Sequence, residues 1–280
     1  MFRKTDCFYG VGVNYRSEIS KDILENIDKI DLIEVFTEKF FIKDDDKVLN
    51  EITSRVPTIL HGLDMSIGSS DMLDQEYLSN LKIALNSTNF EWFSDHISLT
   101  KQDNIELGHL MPVQFSEESV DNIVKKARYV AELTKKPFLL ENITYYYSIP
   151  GSALNEDDFI KEILEKSDCG MLLDVNNLYI NSVNHGYDPK TFLKNIPLDR
   201  VVEIHMAGGS YKYNMLIDTH ANAIAKEVWD LFDYVVSITP VNGVIIERDS
   251  NLPSYSDLLS EVEIAKNILR KNKKITRKAA

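Results

Sequence analysis

The sequence predicts an α/β protein of the (β/α)8 TIM-barrel class, built as a single domain. Three observations predict it. Eight short apolar runs recur along the 280 residues, amphipathic stretches with helical spacing separate them, and six consecutive runs end in His, Asp or Glu. Apolar runs without polar alternation suit parallel strands covered on both faces. Strict alternation of such strands with helices suits a closed barrel of roughly 250 residues. The rival is an open doubly wound sheet, which usually carries a GxGxxG phosphate loop after its first strand. Here that strand ends Gly10-Val11-Gly12-Val13-Asn14-Tyr15, which is not that loop.

The predicted strands cover residues 9–14, 32–36, 58–61, 92–96, 138–142, 171–175, 201–205 and 244–247. The predicted helices cover 20–30, 74–85, 117–134, 156–166, 189–195, 222–236 and 254–269, with a weaker one at 44–54. Ser116 before Glu117, and Asn155 before Glu156, Asp157 and Asp158, stand where N-caps belong. Residues 1–265 form the barrel, with its site at the C-terminal rim. Residues 266–280 form the end of the last helix and a basic tail. The run Asp44-Asp45-Asp46 reads as a solvated loop.

Charge narrows the partners. Lys and Arg number 31 against 44 Asp and Glu, a net charge of −13, although the tail from Lys266 to Lys278 holds seven basic residues and no acid. So acidic a body repels phosphate backbones and anionic membranes, which argues against nucleic acid and membrane partners. It suits cationic partners, or holds carboxylates that a bound cation neutralises. No apolar run approaches the ~20 residues that span a bilayer, and the first residues lack the apolar segment of a signal peptide. Cys7 and Cys169 have no metal or redox spacing, so both read as structural, Cys169 as buried at a strand start, and the expected setting is a reducing cytoplasm.

The strand ends carry the chemistry. The third predicted strand ends in His61, the fourth in Asp95-His96, the fifth in Glu141-Asn142, the sixth in Asp174, the seventh in His205 and the eighth in Glu247. In a barrel these points share one rim, the face where barrel enzymes build their sites. Singly, each has a plain explanation: a hydrogen-bonded histidine, or a helix cap for Glu141 or Asp174. Together, several carboxylates and imidazoles on one rim need a counter-charge, which a metal cluster supplies. Mixed His and carboxylate ligands without thiolate suit iron, manganese or zinc.

A second group, Asp218-Thr219-His220, can turn toward the same centre, although Asp218 alone could cap a helix starting near Ala221. Asn176 and Asn177 could cap, turn or reach the metal, and Ala207-Gly208-Gly209 leaves room for a close turn beside His205. His109 and His185 read as surface or supporting groups, His185 being the better placed to face the site because its loop follows the sixth strand. Tyr145-Tyr146-Tyr147 either line a substrate cleft or pack at the rim.

At these residues the sequence resembles the multinuclear non-haem iron-dependent oxidative enzymes (MNIO), relatives of the iron enzyme of methanobactin biosynthesis. The resemblance runs over nearly the whole chain. It rests on Leu60-His61-Gly62 with Ser66-Ile67-Gly68-Ser69, Ser94-Asp95-His96-Ile97-Ser98, Leu140-Glu141-Asn142 and Leu172-Leu173-Asp174-Val175-Asn176-Asn177. It continues through Ile204-His205-Met206-Ala207-Gly208, Ile217-Asp218-Thr219-His220 and Ile246-Glu247-Arg248-Asp249. Asp95 stands where the family commonly has Glu, and Asp64 where a small residue is expected.

The resemblance implies a barrel holding two or three irons, cycling between Fe2+ and Fe3+, with O2 as co-substrate and no organic cofactor. His61, His96, Glu141, Asp174, His205 and Glu247 would hold the central pair and carry catalysis, with Glu141 as a bridge. Asn177, Asp218 and His220 would form a third site. The implied activity is oxidation of a residue, most often cysteine, in a ribosomally synthesised precursor peptide, with a partner protein that recruits the leader. The alternatives are a divalent-metal sugar isomerase or epimerase, a trinuclear-metal hydrolase on the same barrel, and a metal-binding scaffold without turnover.

Overall fold

In the computed structural model, which describes residues 4, 7–42, 46–87, 90–103 and 105–279, strand follows helix along the chain. The strands are β1 (Gly10–Asn14), β2 (Ile33–Phe36), β3 (Thr58–Gly62), β4 (Phe90–His96), β5 (Leu99–Gln102) and β6 (Ile105–Met111). They continue with β7 (Phe138–Glu141), β8 (Gly170–Asp174), β9 (Val201–Met206), β10 (Ser210–Lys212), β11 (Met215–Ile217) and β12 (Gly243–Ile246). The helices are α1 (Ser20–Glu25), α2 (Lys47–Arg55), α3 (Gln75–Ser87), α4 (Glu117–Thr134) and α5 (Glu156–Ser167). After them come α6 (Val175–His185), α7 (Pro189–Asn195), α8 (Lys226–Ile238) and α9 (Tyr255–Ala279).

Eight strands close into a barrel in the order β1-β12-β9-β8-β7-β4-β3-β2, every neighbouring pair parallel. All eight are the strands the sequence predicts. The other four form two antiparallel hairpins, β5–β6 and β10–β11, inserted after the C-terminal ends of β4 and β9. The sequence reading includes neither hairpin, and β6 contains His109.

A two-residue repeat inside the barrel positions the site. Leu32, Ile59, Trp92, Leu139, Leu172, Val202 and Ile245 form an apolar plug across the lumen. Side chains alternate along a strand, so two residues past the plug the chain again faces inward: Glu34 after Leu32, His61 after Ile59, Glu141 after Leu139. Asp174 follows Leu172 and Glu247 follows Ile245 by the same step. The intervening Ile33, Leu60, Leu140, Leu173 and Ile246 face outward into the larger core under the helices. Register aligns the layer between strands, with His61 opposite Ser94, His96 opposite Glu141, and Asp174 opposite His205.

Helix chemistry bears out some caps and corrects others. Ser116 accepts a hydrogen bond from the Ser119 amide at the start of α4, which ends at Lys135 in the left-handed region. Asn155 occupies the N-cap of α5, but its side chain makes no capping bond. Asp46 caps α2 through the Leu49 amide instead of lying in solvent, while Asp44 and Asp45 lie outside the described residues. Helix α6 was missed, because it begins directly at the end of β8 with no intervening loop.

The last helix runs on from Leu269 to Ala279. Its basic face meets the body: Lys266 pairs with Asp31 at 3.0 Å, Lys271 with Asp233 at 2.6 Å, and the Lys273 ammonium lies 3.6 Å from the Phe8 ring centre. Cys169 is buried just before β8, Cys7 is exposed, and neither is in a disulfide. Among the described residues no helix is long and apolar enough to cross a membrane.

Candidate metal centre

The inward layer above the plug gathers the strand-end residues into one buried cluster. Glu141 Oε2 lies 3.4 Å from His61 Nε2 and 3.2 Å from His96 Nε2. Its other oxygen lies 3.7 Å from His205 Nδ1, which in turn is 3.0 Å from Glu247 Oε2. Glu247 Oε2 is 3.2 Å from His220 Nδ1, and His220 Nε2 faces Asp218 at 2.9 Å and Asp174 at 3.6 Å. Three sets of three have ligand atoms within 4.8 Å of one another: His61, His96 and Glu141; Glu141, Asp174 and His205; Asp174, His220 and Glu247. Glu141 and Asp174 each belong to two of them.

Local structure aims several of these side chains. Asp174 Oδ1 caps α6 through the Asn177 amide at 2.7 Å, which leaves Oδ2 facing the cluster. Capping and cluster roles therefore coexist in one carboxylate. Asp218 caps nothing, because α8 starts only at Lys226. Its Oδ1 accepts from the Asn176 side-chain Nδ2 at 3.1 Å, and its own backbone N–H donates to the Tyr146 hydroxyl at 3.0 Å. His220 sits at φ 43°, a left-handed conformation costly for a side chain with a Cβ, and the Asp249 amide donates to its carbonyl at 3.0 Å. Gly208 beside His205 allows a close crossing, since a Cβ there would lie 2.2 Å from the Asn222 carbonyl oxygen.

The cluster is full of buried polar atoms without hydrogen-bond partners. They are His96 Nδ1, Glu141 Oε2, Asp174 Oδ2, Asn177 Oδ1, His205 Nδ1 and both ring nitrogens of His220. Native interiors rarely leave one such atom unpaired, and here Glu141 Oε2, Asp174 Oδ2, His205 Nδ1 and the His220 nitrogens face one another, while His96 turns Nε2 rather than its unpartnered Nδ1 to Glu141. Ions ligated by nitrogen and oxygen would satisfy the inward-facing atoms, so the residues present fit a metal.

Without an ion, protons supply the counter-charge. Burial, with His96 and His205 nearby, holds His61 well below the ordinary imidazole value, and burial brings His96 down to about 4. Burial also lifts Glu141 well above the carboxylate range, Asp174 and Glu247 adding to it against a pull from His205. Burial would lower His205 and His220, but Glu34 and Glu247 raise the first, and Asp218 and Glu247 the second. Those two imidazoliums overcome the burial of Glu247 and keep it ionised.

The cluster opens onto a cavity of about 550 Å³ whose lining includes His61, His96, Glu141, Asn177, Asp218, His220 and Glu247. Asp174 and His205 lie beneath it. Its walls are Tyr145, Tyr146 and Tyr147 on one side and His109 to Pro112 of the β5–β6 hairpin on another, so the tyrosine run lines a cleft. The expectation for the two outlying histidines is reversed: His109 faces this cavity. His185, at the far end of α6, faces an adjoining one of about 620 Å³ and meets the Tyr145 carbonyl at 2.9 Å. Asp95 does not reach the cluster; it accepts from the His96 and Met65 amides and the Tyr77 hydroxyl.

Comparison with known proteins now bears on this arrangement. The profile of the RiPP precursor modification enzymes MbnB/TglH/ChrH matches residues 10–270. The chain belongs to this family. Among relatives, the UPF0276 protein of Shewanella sediminis is 34% identical over 257 residues, covering 90% of this chain and 92% of the relative. The UPF0276 protein of Caulobacter vibrioides is 34% identical over 239 residues, covering 85% of each. D-psicose 3-epimerase of Clostridium cellulolyticum H10 superposes with a TM-score of 0.60 at 9% identity, over 96% of this chain and 98% of the epimerase. That likeness is one of fold alone. The family is one of precursor-modifying enzymes by name, and this chain carries clustered groups that could bind metal.

Three further residues touch the cluster and were missed in the sequence. Glu34 lies 2.8 Å from His205 Nε2, Asp249 Oδ2 lies 3.3 Å from His220 Nδ1, and Ser94 Oγ lies 2.8 Å from His61 Nδ1. Glu34 had a readable signal: an acid in the middle of the apolar run Leu32-Ile33-Glu34-Val35-Phe36, two residues past an inward leucine. Asp249 had only its nearness to Glu247.

Proposed function

We propose that this protein is an O2-dependent non-haem iron enzyme that oxidises a residue, cysteine foremost, of a ribosomally synthesised precursor peptide. The convergence of unpartnered buried atoms from Glu141, Asp174, His205 and His220 beneath an open cavity carries this reading. Membership of a peptide-modifying family supports the substrate class.

His61, His96 and Glu141 would hold one ion, and Glu141, Asp174, His205 and Glu247 would hold its neighbour. His220 and Asp218, with Asn177 beside them, would hold a third. Bound iron would supply Lewis acidity toward a substrate thiol and electrons for O2. The chain's own residues do the rest. The imidazoles at the cavity floor leave room above them for the substrate side chain, and the tyrosine and hairpin walls exclude water around it. Ser94 Oγ, which donates to the Leu60 carbonyl at 3.3 Å, is placed to accept from His61 Nδ1–H at 2.8 Å, which would leave Nε2 as the ligand atom. The −13 charge favours a basic leader or leader-binding partner protein. A reducing cytoplasm suits both ferrous iron and the exposed Cys7 thiol.

The test is anaerobic loading with Fe2+, followed by metal analysis, absorption spectroscopy and O2 uptake with a cysteine-containing precursor peptide encoded beside the gene. Two or more irons per chain, ferric absorption on exposure to air, and a peptide mass change that needs O2 are expected. Zinc uptake without iron, or ketose epimerisation without O2, overturns the proposal.

A further inference from the structure

Beneath the cluster lies a second layer of carboxylates that the proposed chemistry does not use. Glu34 on β2 and Glu203 on β9 are both fully buried between the apolar plug and the rim. Glu203 Oε2 accepts from the Trp92 indole N–H at 2.7 Å, and its Oε1 lies 3.6 Å from His205 Nε2. Glu34 Oε2 lies 2.8 Å from the same nitrogen. The far side of the ring is different: His205 Nδ1 has no hydrogen-bond partner and points at Glu247 and Glu141.

We propose that Glu34, backed by Glu203, is a positioning residue that holds the proton of His205 on Nε2 and so makes Nδ1 the metal-binding atom. This rests on the metal-centre reading above. A neutral imidazole has one N–H and one lone pair, and a carboxylate at hydrogen-bond distance claims the N–H. With Nε2–H donated to Glu34, the only lone pair left on the ring is the one aimed into the cluster. Carboxylate support of this kind locks ring orientation and raises ligand basicity. His61 is wired the other way round, its Nδ1 meeting Ser94 Oγ at 2.8 Å and its Nε2 facing Glu141 at 3.4 Å. The two histidines therefore present opposite nitrogens to the same bridging carboxylate.

The rival assignment is a cation seated between Glu34, Glu203 and His205 Nε2, since these groups also lie within 4.8 Å of one another. Long-range 1H–15N correlation on 15N-histidine-labelled protein, loaded with Zn2+ alone, distinguishes the two. The expected spectrum of the wild type shows the His205 ring, assigned by its loss in His205→Ala, metal-bound through Nδ1 with a slowly exchanging Nε2–H.

Glu34→Gln keeps an acceptor oxygen and is expected to retain that ring pattern at unchanged stoichiometry. Glu34→Leu is expected to lose it and to weaken Zn2+ binding by roughly 10–100-fold. A wild-type His205 bound through Nε2 overturns the proposal even if the leucine variant does not fold. So does loss of one Zn2+ per chain in Glu34→Gln, which would place a cation at Glu34 itself. Failure of the iron reading looks different: Zn2+ binds with the expected ring pattern, but Fe2+ is not taken up. A wild type that binds neither metal overturns both.

Discussion

Glu141 faces His96 across 3.2 Å, deep under the cavity floor, yet the carboxylate oxygen on that side has no hydrogen-bond partner. The two residues sit side by side in the register of β4 and β7, so the approach is imposed by the backbone. Either a proton on Glu141 or a metal ion beside the pair would relieve it.

Removing the Glu141 carboxylate should therefore abolish metal-linked stabilisation. Ligand binding adds about 2.7 kcal/mol when free metal reaches 100 times its dissociation constant. Wild-type protein should show a gain of this order in urea unfolding with Fe2+ or Zn2+, and Glu141→Ala should show almost none at the same metal concentration. An equal gain in the variant would remove Glu141 from the centre.

The Asp218 side of the cluster should be separable from the His61 side. Asp218 contacts His220 but neither His61 nor His96, and it comes from the segment after β11, outside the barrel strands. Asp218→Ala is expected to lower bound iron by about one equivalent while the remainder stays bound. Complete loss of iron in this variant would mean a single cooperative site.

The apolar plug supports the rim from below, so its loss should be costly. Leu172 is completely buried and lies two residues before Asp174 on the same strand. Leu172→Ala should destabilise the metal-free protein by about 2–5 kcal/mol through lost burial and the cavity left behind. A change under about 1 kcal/mol in urea unfolding would show that the lumen collapses readily around the gap.

Glu156 should make stability fall as pH rises. Burial, opposed by hydrogen bonds from Tyr187, Asn181 and Tyr145, lifts its carboxyl from 4.5 to about 7. A raised folded-state value means that ionisation costs stability: the contribution is present below 4.5 and is lost as pH climbs to about 7. Glu156→Gln cannot ionise, so its advantage over wild type should grow between about pH 4.5 and about pH 7, toward about 3 kcal/mol. A constant difference in urea midpoints across that range would contradict the assignment.

Much of this was legible in the sequence because barrel strands and rim ligands follow one rule. His61, Glu141, Asp174 and Glu247 each terminate an apolar run two residues after a buried one, so composition and position reported the same thing. All nine predicted ligand candidates meet at the rim or border it. What stayed hidden lacks such a rule. Helix α6 follows β8 without a break, and Asn176-Asn177 looks like a turn. The β5–β6 hairpin is exposed and mixed in polarity, so neither burial nor periodicity marks it. Glu34 was hidden for the opposite reason, as an acid within a run read only for its apolar members.

The hairpin has one further consequence. Leu110 to Pro112 border the cavity from a two-stranded sheet that shares no strand with the barrel. Most of the cluster is thus set by barrel register, where a one-residue slip would reverse every inward side chain, while one wall of the cavity comes from an insertion that the register does not constrain. The hairpin can therefore change in length or sequence without moving His61, His96 or Glu141.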